Sequence, residues 1–253
     1  MDGNNWEKIF DMNRIILSVI VLLMSVAYDL RATENAVTST VPDKNVEAHI
    51  NLRPFDAIHS DVVAAIRFYQ SDKSRIEAEG PERVISAINA EVRNEVLYIT
   101  SKKNLRLNRG EKITLIIYSP TLSRIQLDGV GNVTCPQSVS TKCMEIINNG
   151  VGSVKLNDLH CEELIVKSEG VGGIELQGET LKATYRSDGV GSIEADEMLS
   201  EDAEVRLSGV GSVRCHASKS INACNDGVGS IRYSGHPEQE KVRNNGVGSV
   251  RSK

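Results

Sequence analysis

Aromatic residues are scarce in this chain of 253 residues: they make up 4% of it, with a single tryptophan and three phenylalanines. So few rings leave little material for stacking nucleic-acid bases or for building a sugar-binding platform. An excess of positive charge is also lacking, because the formal net charge at pH 7 is -5. These two deficits argue against a generally basic nucleic-acid-binding protein, and we expect no nucleic-acid partner.

Runs of helix-forming residues are lacking from the second half of the chain, which carries a short repeat instead. The tripeptide Gly-Val-Gly begins at Gly129, Gly150, Gly170, Gly189, Gly209, Gly227 and Gly246. The intervals between these positions are 21, 20, 19, 20, 18 and 19 residues. Ankyrin-like and leucine-rich repeats of comparable length contain a helical segment in each unit, so they are excluded. Since a helical crossover does not fit either, parallel strands at this spacing require a chain that coils on itself.

Aligned on the first glycine, the repeats alternate between apolar and polar positions. The fourth residue after that glycine is always Val or Ile: Val133, Val154, Ile174, Ile193, Val213, Ile231 and Val250. The fifth is mostly charged, and the sixth is mostly apolar again. This period of two describes strands with one face in the core and one in water. The sequence therefore predicts an all-β parallel β-helix or β-solenoid with about 20 residues per coil, its glycine-signature coils running from 129 to 250.

The two glycines of each repeat are expected to flank a sharp turn that most side chains cannot enter, because the turn requires positive φ. The valine between them has two possible orientations. Strict alternation places these residues outward as an apolar stripe, whereas a change of phase at the turn buries them. The residues are Val130, Val151, Val171, Val190, Val210, Val228 and Val247.

The five cysteines fall into two groups when they are assigned to these columns. Cys135 and Cys215 occupy an inward column and are separated by four repeats, so we expect two buried thiols that cannot meet. Cys143 and Cys161 lie near the same corner of neighbouring repeats. An oxidising compartment could join them in a disulfide, and two free thiols are the alternative.

The N-terminal 32 residues have the pattern of a signal peptide. Residues 15–28 form an apolar run of about fourteen residues, short for a membrane span and typical of a signal-peptide core. Candidate cleavage sites follow Ala27 and Ala32, and translation from Met12 would remove an acidic segment from the front. We expect an exported protein that is periplasmic, associated with the outer membrane or extracellular. The alternative is an uncleaved segment, which would be the only membrane contact.

Between this segment and the glycine repeats, the sequence predicts a flexible lead-in at residues 33–45 and the start of a single solenoid domain spanning 46–253. We expect strands at residues 62–69, 74–78, 96–100 and 113–118. Residues 82–90 are the one stretch able to form a helix. The spacing from Ile76 to Leu97 to Leu115 is 21 and then 18 residues, which predicts that the same coil length continues here.

Parallel β-helices that cleave polysaccharides use clustered carboxylates, and two stacked pairs occur here: Glu175 with Glu194, and Glu169 with Asp188. Such pairs are more typical of a solvated outer column. The histidines share no column, so no metal-ligand set is expected. The serines three positions after the first glycine form a ladder that we expect to hydrogen-bond along the stack. We therefore predict no catalytic, cofactor-binding or metal-binding residues.

Two outward columns are basic and have two possible roles. They could contact an anionic glycan or a lipid head group, or they could pair with Glu204 and Glu194 nearby. The columns consist of Lys167, Arg186 and Arg206, and of Arg214, Arg232 and Arg251.

The repeated Ser/Asp-Gly-Val-Gly-Ser-Val/Ile units, preceded by Pro-Phe-Asp-Ala-Ile at 54–58 and Glu-Val-Leu-Tyr-Ile at 95–99, resemble the auto-transporter adhesin head domain (head GIN) family of exported bacterial proteins. The resemblance covers about residues 46–250 and implies a β-helical fold, an adhesin-like role and no catalytic residues. The middle residue of such repeats is commonly Ala or Ser, whereas it is Val throughout this chain. Our leading hypothesis is a non-enzymatic exported module that binds a protein or glycan of the cell envelope. The alternative is a polysaccharide lyase or hydrolase.

Overall fold

The computed structural model describes residues 45–102 and 107–253. The chain is almost entirely β-structure, wound into a β-solenoid of about six turns with about 20 residues per turn. This confirms the predicted fold class. The predicted signal peptide at 1–32, and the predicted lead-in up to residue 44, lie outside the described residues.

The described chain contains nineteen strands and one short helix, α1 (Glu82–Ile85), between β4 and β5. The strands are β1 (Asn45–Asn51), β2 (Ala57–Asp61), β3 (Ala65–Gln70), β4 (Arg75–Pro81), β5 (Ile88–Arg93), β6 (Val96–Ser101), β7 (Thr114–Ser119), β8 (Arg124–Leu127), β9 (Val130–Cys135), β10 (Val139–Ser140), β11 (Cys143–Asn148), β12 (Val151–Ser168), β13 (Val171–Ser187), β14 (Val190–Leu207), β15 (Val210–His216), β16 (Ser220–Asn225), β17 (Val228–Ser234), β18 (Gln239–Asn244) and β19 (Val247–Ser252).

Each regular coil has three straight stretches separated by corners. Along β12 these stretches are residues 151–156, 159–161 and 163–168, and each pairs in parallel with the matching stretch of β13. The ladder shifts register between Leu156 and Leu159, where the chain turns a corner. Equivalent columns of neighbouring coils are therefore stacked at one strand spacing, about 4.8 Å.

The core lies inside the coils and follows the predicted alternation. The Val and Ile residues four positions after the first glycine are buried from Val133 to Ile231, and the charged column beside them faces solvent. Cys135 and Cys215 are fully buried, as predicted, and burial raises the pKa of both thiols to about 12. All five cysteines are free thiols in the structure, so Cys143 and Cys161 are not bridged.

The two glycines of the turn are required for different reasons, which corrects the expectation that both need positive φ. Gly191 has φ of +149°, a conformation that residues with a side chain rarely adopt. Gly189 is outside that region. Both nevertheless press against the preceding coil: a Cβ on Gly191 would lie 1.7 Å from the carbonyl oxygen of Gly172, and one on Gly189 would lie 2.1 Å from that of Gly170.

The region before the glycine repeats departs from the predicted sequential coiling. In space β6–β7 forms the outermost of the parallel layers, β2–β3 the next and β8–β9 the third, because β2 and β3 pair in parallel with strands on both sides. Ile76 pairs with Ile50 and Ile117 in antiparallel ladders, so it does not stack with Leu97 and Leu115. The coil spacing predicted from these residues was therefore wrong.

The cause is an excursion of the chain through β4, α1 and β5. β4 pairs antiparallel with β7, β5 pairs antiparallel with β6, and β1 adds to β4. These strands cover the outer edges of the β6–β7 layer, which would otherwise present unpaired backbone groups. The helix predicted over 82–90 extends only over Glu82–Ile85. The strand predicted from 62 begins at Ala65, since the chain turns at residues 62–64.

Candidate functional site

An exposed line of valines runs along the solenoid, and we call it the valine ladder. Its members are Val63, Val130, Val151, Val171, Val190, Val210, Val228 and Val247. Their exposed fractions lie between 45% and 71%, and each is paired in register with the next. The outward alternative for these residues is therefore confirmed. Val63 was missed by sequence analysis because its turn lacks glycine.

The valines face outward because the glycines on both sides are pressed into the preceding coil. Backbone hydrogen bonds hold this arrangement: the N–H of Val190 donates to Gly170 O, and that of Val210 donates to Gly189 O, both at 2.9 Å. The ladder's backbone is thus already hydrogen-bonded, and its exposed part consists of methyl groups. A continuous apolar stripe of this kind on a solvent-exposed surface is typical of an interaction site.

The C-terminal half of the ladder lines a shallow groove of about 550 Å³. The valines from Val190 to Val247 lie along it with the glycine that precedes each, and the residues just before these glycines form a polar rim. The rim residues are Asp188, Ser208, Asp226 and Asn245. The groove therefore combines an apolar floor with one acidic and polar side.

The rim carboxylates differ in how they are held. The Asn245 side chain donates to Asp226 at 2.9 Å and Arg206 lies 3.0 Å from it, and these contacts, led by the Asn245 hydrogen bond, lower the pKa of Asp226. In contrast, Asp188 and Glu169, which precedes it in the same column outside the groove, have no side-chain hydrogen bond or ion pair within the described residues. Two carboxylates beside the ladder are therefore available to a partner.

At the other end of this column, Asp128 joins the first glycine turn to β2. It contacts His59, and the side-chain amides of Asn149 and Gln126 donate to it at 2.8 and 3.0 Å. Burial by itself raises the pKa of the Asp128 carboxyl, but the hydrogen bonds from Asn149, His59 and Gln126 outweigh it and lower the pKa. This contact connects the first glycine turn to β2.

A buried polar column supports the turns from inside, two residues before the first glycine. It contains Asn148, Ser168, Ser187 and Asn225. The Asn225 amide donates to Gly229 O at 3.3 Å, and its oxygen accepts from the Gly227 N–H at 3.2 Å. The asparagine thus bonds backbone groups of the turn from the core side. Sequence analysis missed this column, although the recurrence of Asn and Ser at one position was a usable signal.

Of the two stacked carboxylate pairs considered as catalytic candidates, one is paired with basic side chains and the other, Glu169 with Asp188, is not. Glu175 lies 2.6 Å from Lys155, and Glu194 lies 2.6 Å from Arg214. Within the described residues, no group of three or more His, Cys, Asp or Glu side chains is placed to hold a metal ion.

The basic columns divide between paired and unpaired residues. Arg214 pairs with Glu194, as the pairing alternative predicted. The expected partner Glu204 was wrong: Lys167 pairs instead with Glu145 at 2.8 Å, and Arg206 pairs with Asp226. These contacts neutralise part of each column and leave the rest available.

In the part of the chain that the structure describes, no helix has the length and apolar character to cross a bilayer. No curated protein matches the chain. Several solved structures do. A "putative adhesin" from Bacteroides fragilis is 32% identical with a TM-score of 0.81, and the alignment covers 83% of this chain and 97% of that one.

Two structures from Parabacteroides are more distant. A "putative lipid binding protein" from Parabacteroides distasonis is 20% identical with a TM-score of 0.66, covering 83% of this chain and 98% of that one. A "putative adhesin" from Parabacteroides merdae is 21% identical with a TM-score of 0.62, covering 83% and 97%. At these identities the likeness shows a shared fold.

The family model that matches extends over residues 54–237, most of the solenoid. It agrees with the resemblance carried by the glycine repeats, and together with the fold it supports an adhesin-like, non-enzymatic role. An adhesin-like family also suggests an exported or cell-surface protein. The chain belongs to the family described as "Putative auto-transporter adhesin, head GIN domain".

Proposed function

We propose that this protein is an exported, non-enzymatic, adhesin-like module that uses the valine ladder to bind a protein or glycan of the cell envelope. The observation that carries the proposal is the ladder itself, eight exposed valines in register along the array. Burying exposed apolar surface against a partner is favourable in proportion to its area.

The ladder is suited to binding because it is preorganised. Its backbone is fixed by hydrogen bonds between coils, and each valine has a single side-chain torsion, so little conformational entropy is lost when a partner docks. The repeat also offers the same contact several times along one line. A long or repetitive partner can therefore engage several coils at once, which raises its avidity.

The carboxylates of the solenoid give less support to the lyase or hydrolase alternative. One of its two candidate carboxylate pairs, Glu175 with Glu194, is engaged at 2.6 Å with basic side chains. Both carboxylates are thus already engaged in ion pairs between neighbouring coils, which suits a structural role better than catalysis. Shortened products from an acidic glycan incubated with the protein would overturn the non-enzymatic proposal.

The proposal can be tested by measuring binding of purified protein to whole bacterial cells and to arrayed envelope glycans. The variant V190D/V210D places two charges on the ladder without touching the core, and we expect binding at least about tenfold weaker, since each 1.4 kcal/mol changes affinity tenfold.

The matched control is L181D/L199D, because Leu181 and Leu199 are 50% and 47% exposed at another corner of the coil. We expect this control to bind within about twofold of the unchanged protein, since its substitutions lie off the ladder. Equal binding by both variants would show that the ladder is not the contact surface.

A further inference from the structure

The last three coils present a second ordered surface beside the valine ladder. Arg214, Arg232 and Arg251 are paired in register on β15, β17 and β19. Two residues earlier on the same strands, and hence on the same outward face, Ser212, Ser230 and Ser249 form a parallel column. We call the three arginines the arginine ladder.

Charge on this face is unevenly distributed along the solenoid. Toward the N-terminal side Lys155 is neutralised by Glu175, and Arg214 at the start of the arginine ladder is bound to Glu194. Arg232 and Arg251, both exposed, form no ion pair with any described residue. Like charges placed in register on neighbouring strands repel, and an anion bound between them would relieve this repulsion.

The serine column is also free to bind. Ser153, at the same position of an earlier coil, donates to Asn132 Oδ1 at 3.0 Å, as expected for bonding along the stack. The hydroxyls of Ser212, Ser230 and Ser249 make no such bond within the described chain, so that expectation fails in these coils. A small cleft of about 110 Å³ adjoins the ladder between Arg214, Arg232 and Lys253.

We propose that β15, β17 and β19 bind a linear anionic polysaccharide, whose carboxylate or sulfate groups contact Arg232 and Arg251 and whose hydroxyls contact the serine column. This inference rests on the proposed function and names a ligand class for it. Arginine binds such groups with two parallel hydrogen bonds. Because the arginines repeat along one line at about 4.8 Å, the surface fits a polymer that carries charges at intervals. The hydroxyls between the valine and arginine ladders favour a sugar chain over a lipid surface.

The test measures binding of the full protein to three labelled polymers, polygalacturonate, heparin and neutral dextran, by fluorescence anisotropy. The variant is R232Q/R251Q. The matched control is R186Q/R243Q, which removes the same charge from two exposed arginines on the other side of the glycine turn. These arginines also lack an ion pair in the described structure.

We expect the ladder variant to bind an anionic polymer at least about tenfold more weakly, and the control to stay within about twofold. Dextran should not bind, and added salt should weaken anionic binding less steeply in the ladder variant.

Three outcomes would overturn the proposal. The first is absence of binding to either anionic polymer, and the second is an equal loss in both variants, which would indicate unspecific attraction. The third is binding to phosphatidylglycerol vesicles that requires Arg232 and Arg251 while neither polymer binds, which would identify a membrane surface instead. None of these decides the proposed function, because that is tested by cell binding of V190D/V210D.

Discussion

The turn at residues 62–64 and the turn at residues 189–191 occupy equivalent places in the solenoid but have different sequences. The first is Val62-Val63-Ala64, in which Val62 and Ala64 are buried. The second is Gly-Val-Gly. The difference follows from the layer that each turn stacks on, toward the N-terminal end of the solenoid. The layer next to Val62 and Ala64 is β6–β7, in which β6 ends at Ser101 and β7 begins at Thr114, whereas Gly189 and Gly191 meet another tight turn.

Gly129 and Gly131 mark the point at which this condition begins. Their Cβ atoms would lie 2.2 Å and 1.9 Å from the carbonyl oxygens of Val62 and Ala64. The glycines are therefore required where one tight turn stacks directly on another. A coil that has no tight turn beside it does not require them. The valine ladder can extend to Val63 without a glycine signature for the same reason.

The two ends of the solenoid differ as well. At one end, antiparallel β4 and β5 cover the outer edges of β7 and β6. At the other, β18 and β19 have no described strand on their outer side. There Glu240 stands in a column that is apolar from Met144 to Ile221, and it accepts a hydrogen bond from Tyr233 at 2.8 Å. One end is thus covered by antiparallel strands, whereas the last described coil has a polar residue at this position.

The largest effect is expected from placing a charge in the regular core. Ile193 is fully buried, so Ile193→Asp should reduce the free energy of unfolding by about 4 kcal/mol or more, because it buries an unpaired carboxylate. Glu194→Lys is the control, and it should cost about 1 kcal/mol or less because it breaks a partly exposed ion pair. Urea unfolding measures both, and similar losses would contradict the alternation.

The next largest effect is expected from substitutions that exchange Gly and Ala in the two kinds of turn. Gly191→Ala should cost roughly 3 kcal/mol, since it combines a strained φ with a Cβ only 1.7 Å from Gly172 O. The reverse change at the equivalent place, Ala64→Gly, should cost within about 1 kcal/mol, because only a methyl group and some backbone rigidity are lost. Hydrogen exchange should localise the first loss to the coils around Gly191. If Gly191→Ala proved as mild as Ala64→Gly, the backbone contact would not be the reason for the glycine.

These two regions also show how far the sequence predicts the structure. The columns around Ile193 were predictable because the Gly-Val-Gly tripeptide occurs seven times at intervals of 18 to 21 residues, which fixes both strand face and coil length. The position of Ile76 was not, since antiparallel and parallel strands have the same period of two, and pairing partners distant in sequence leave no spacing to measure. The exposure of the valines depended on whether alternation continues through the turn, which is decided by carbonyl contacts between coils. The ion pairs of Lys167 and Arg206 likewise depended on which neighbouring column their side chains reach.

A smaller effect should come from the buried polar column of the glycine coils. Asn225→Ala removes hydrogen bonds to the turn backbone and one of 2.7 Å to Asn244, so we expect a loss of about 1 to 3 kcal/mol. Asn222→Ala on the exposed face of the same strand should change stability by less than about 0.5 kcal/mol. Thermal unfolding of the two variants would show whether the inner asparagine holds the turn.

The smallest effect concerns the contact between the two regions at Asp128. Its pKa is lower in the folded protein than its ordinary value of 3.8, so the contact stabilises the fold above that pH. The stabilisation should be lost progressively as the pH falls below about 4 and through the lower folded pKa. Asp128→Asn should remove this part of the pH dependence, measured as the difference in urea midpoint between pH 7 and pH 3. An unchanged pH dependence in the variant would show that the contact makes no contribution.

The outward orientation of the valine ladder is tested most directly by comparing the solvent accessibility of position 190 with that of position 193 in the core column. The measurement is the rate of maleimide labelling of Val190→Cys and Ile193→Cys in the folded protein, with Cys143, Cys161 and Cys224 replaced by Ser. Cys135 and Cys215 are buried with raised pKa values, so they should remain unreactive. We predict that the cysteine at 190 reacts at nearly the rate of an unfolded thiol and that the one at 193 is strongly protected. Protection at 190, or equal rates at both positions, would contradict an outward valine ladder.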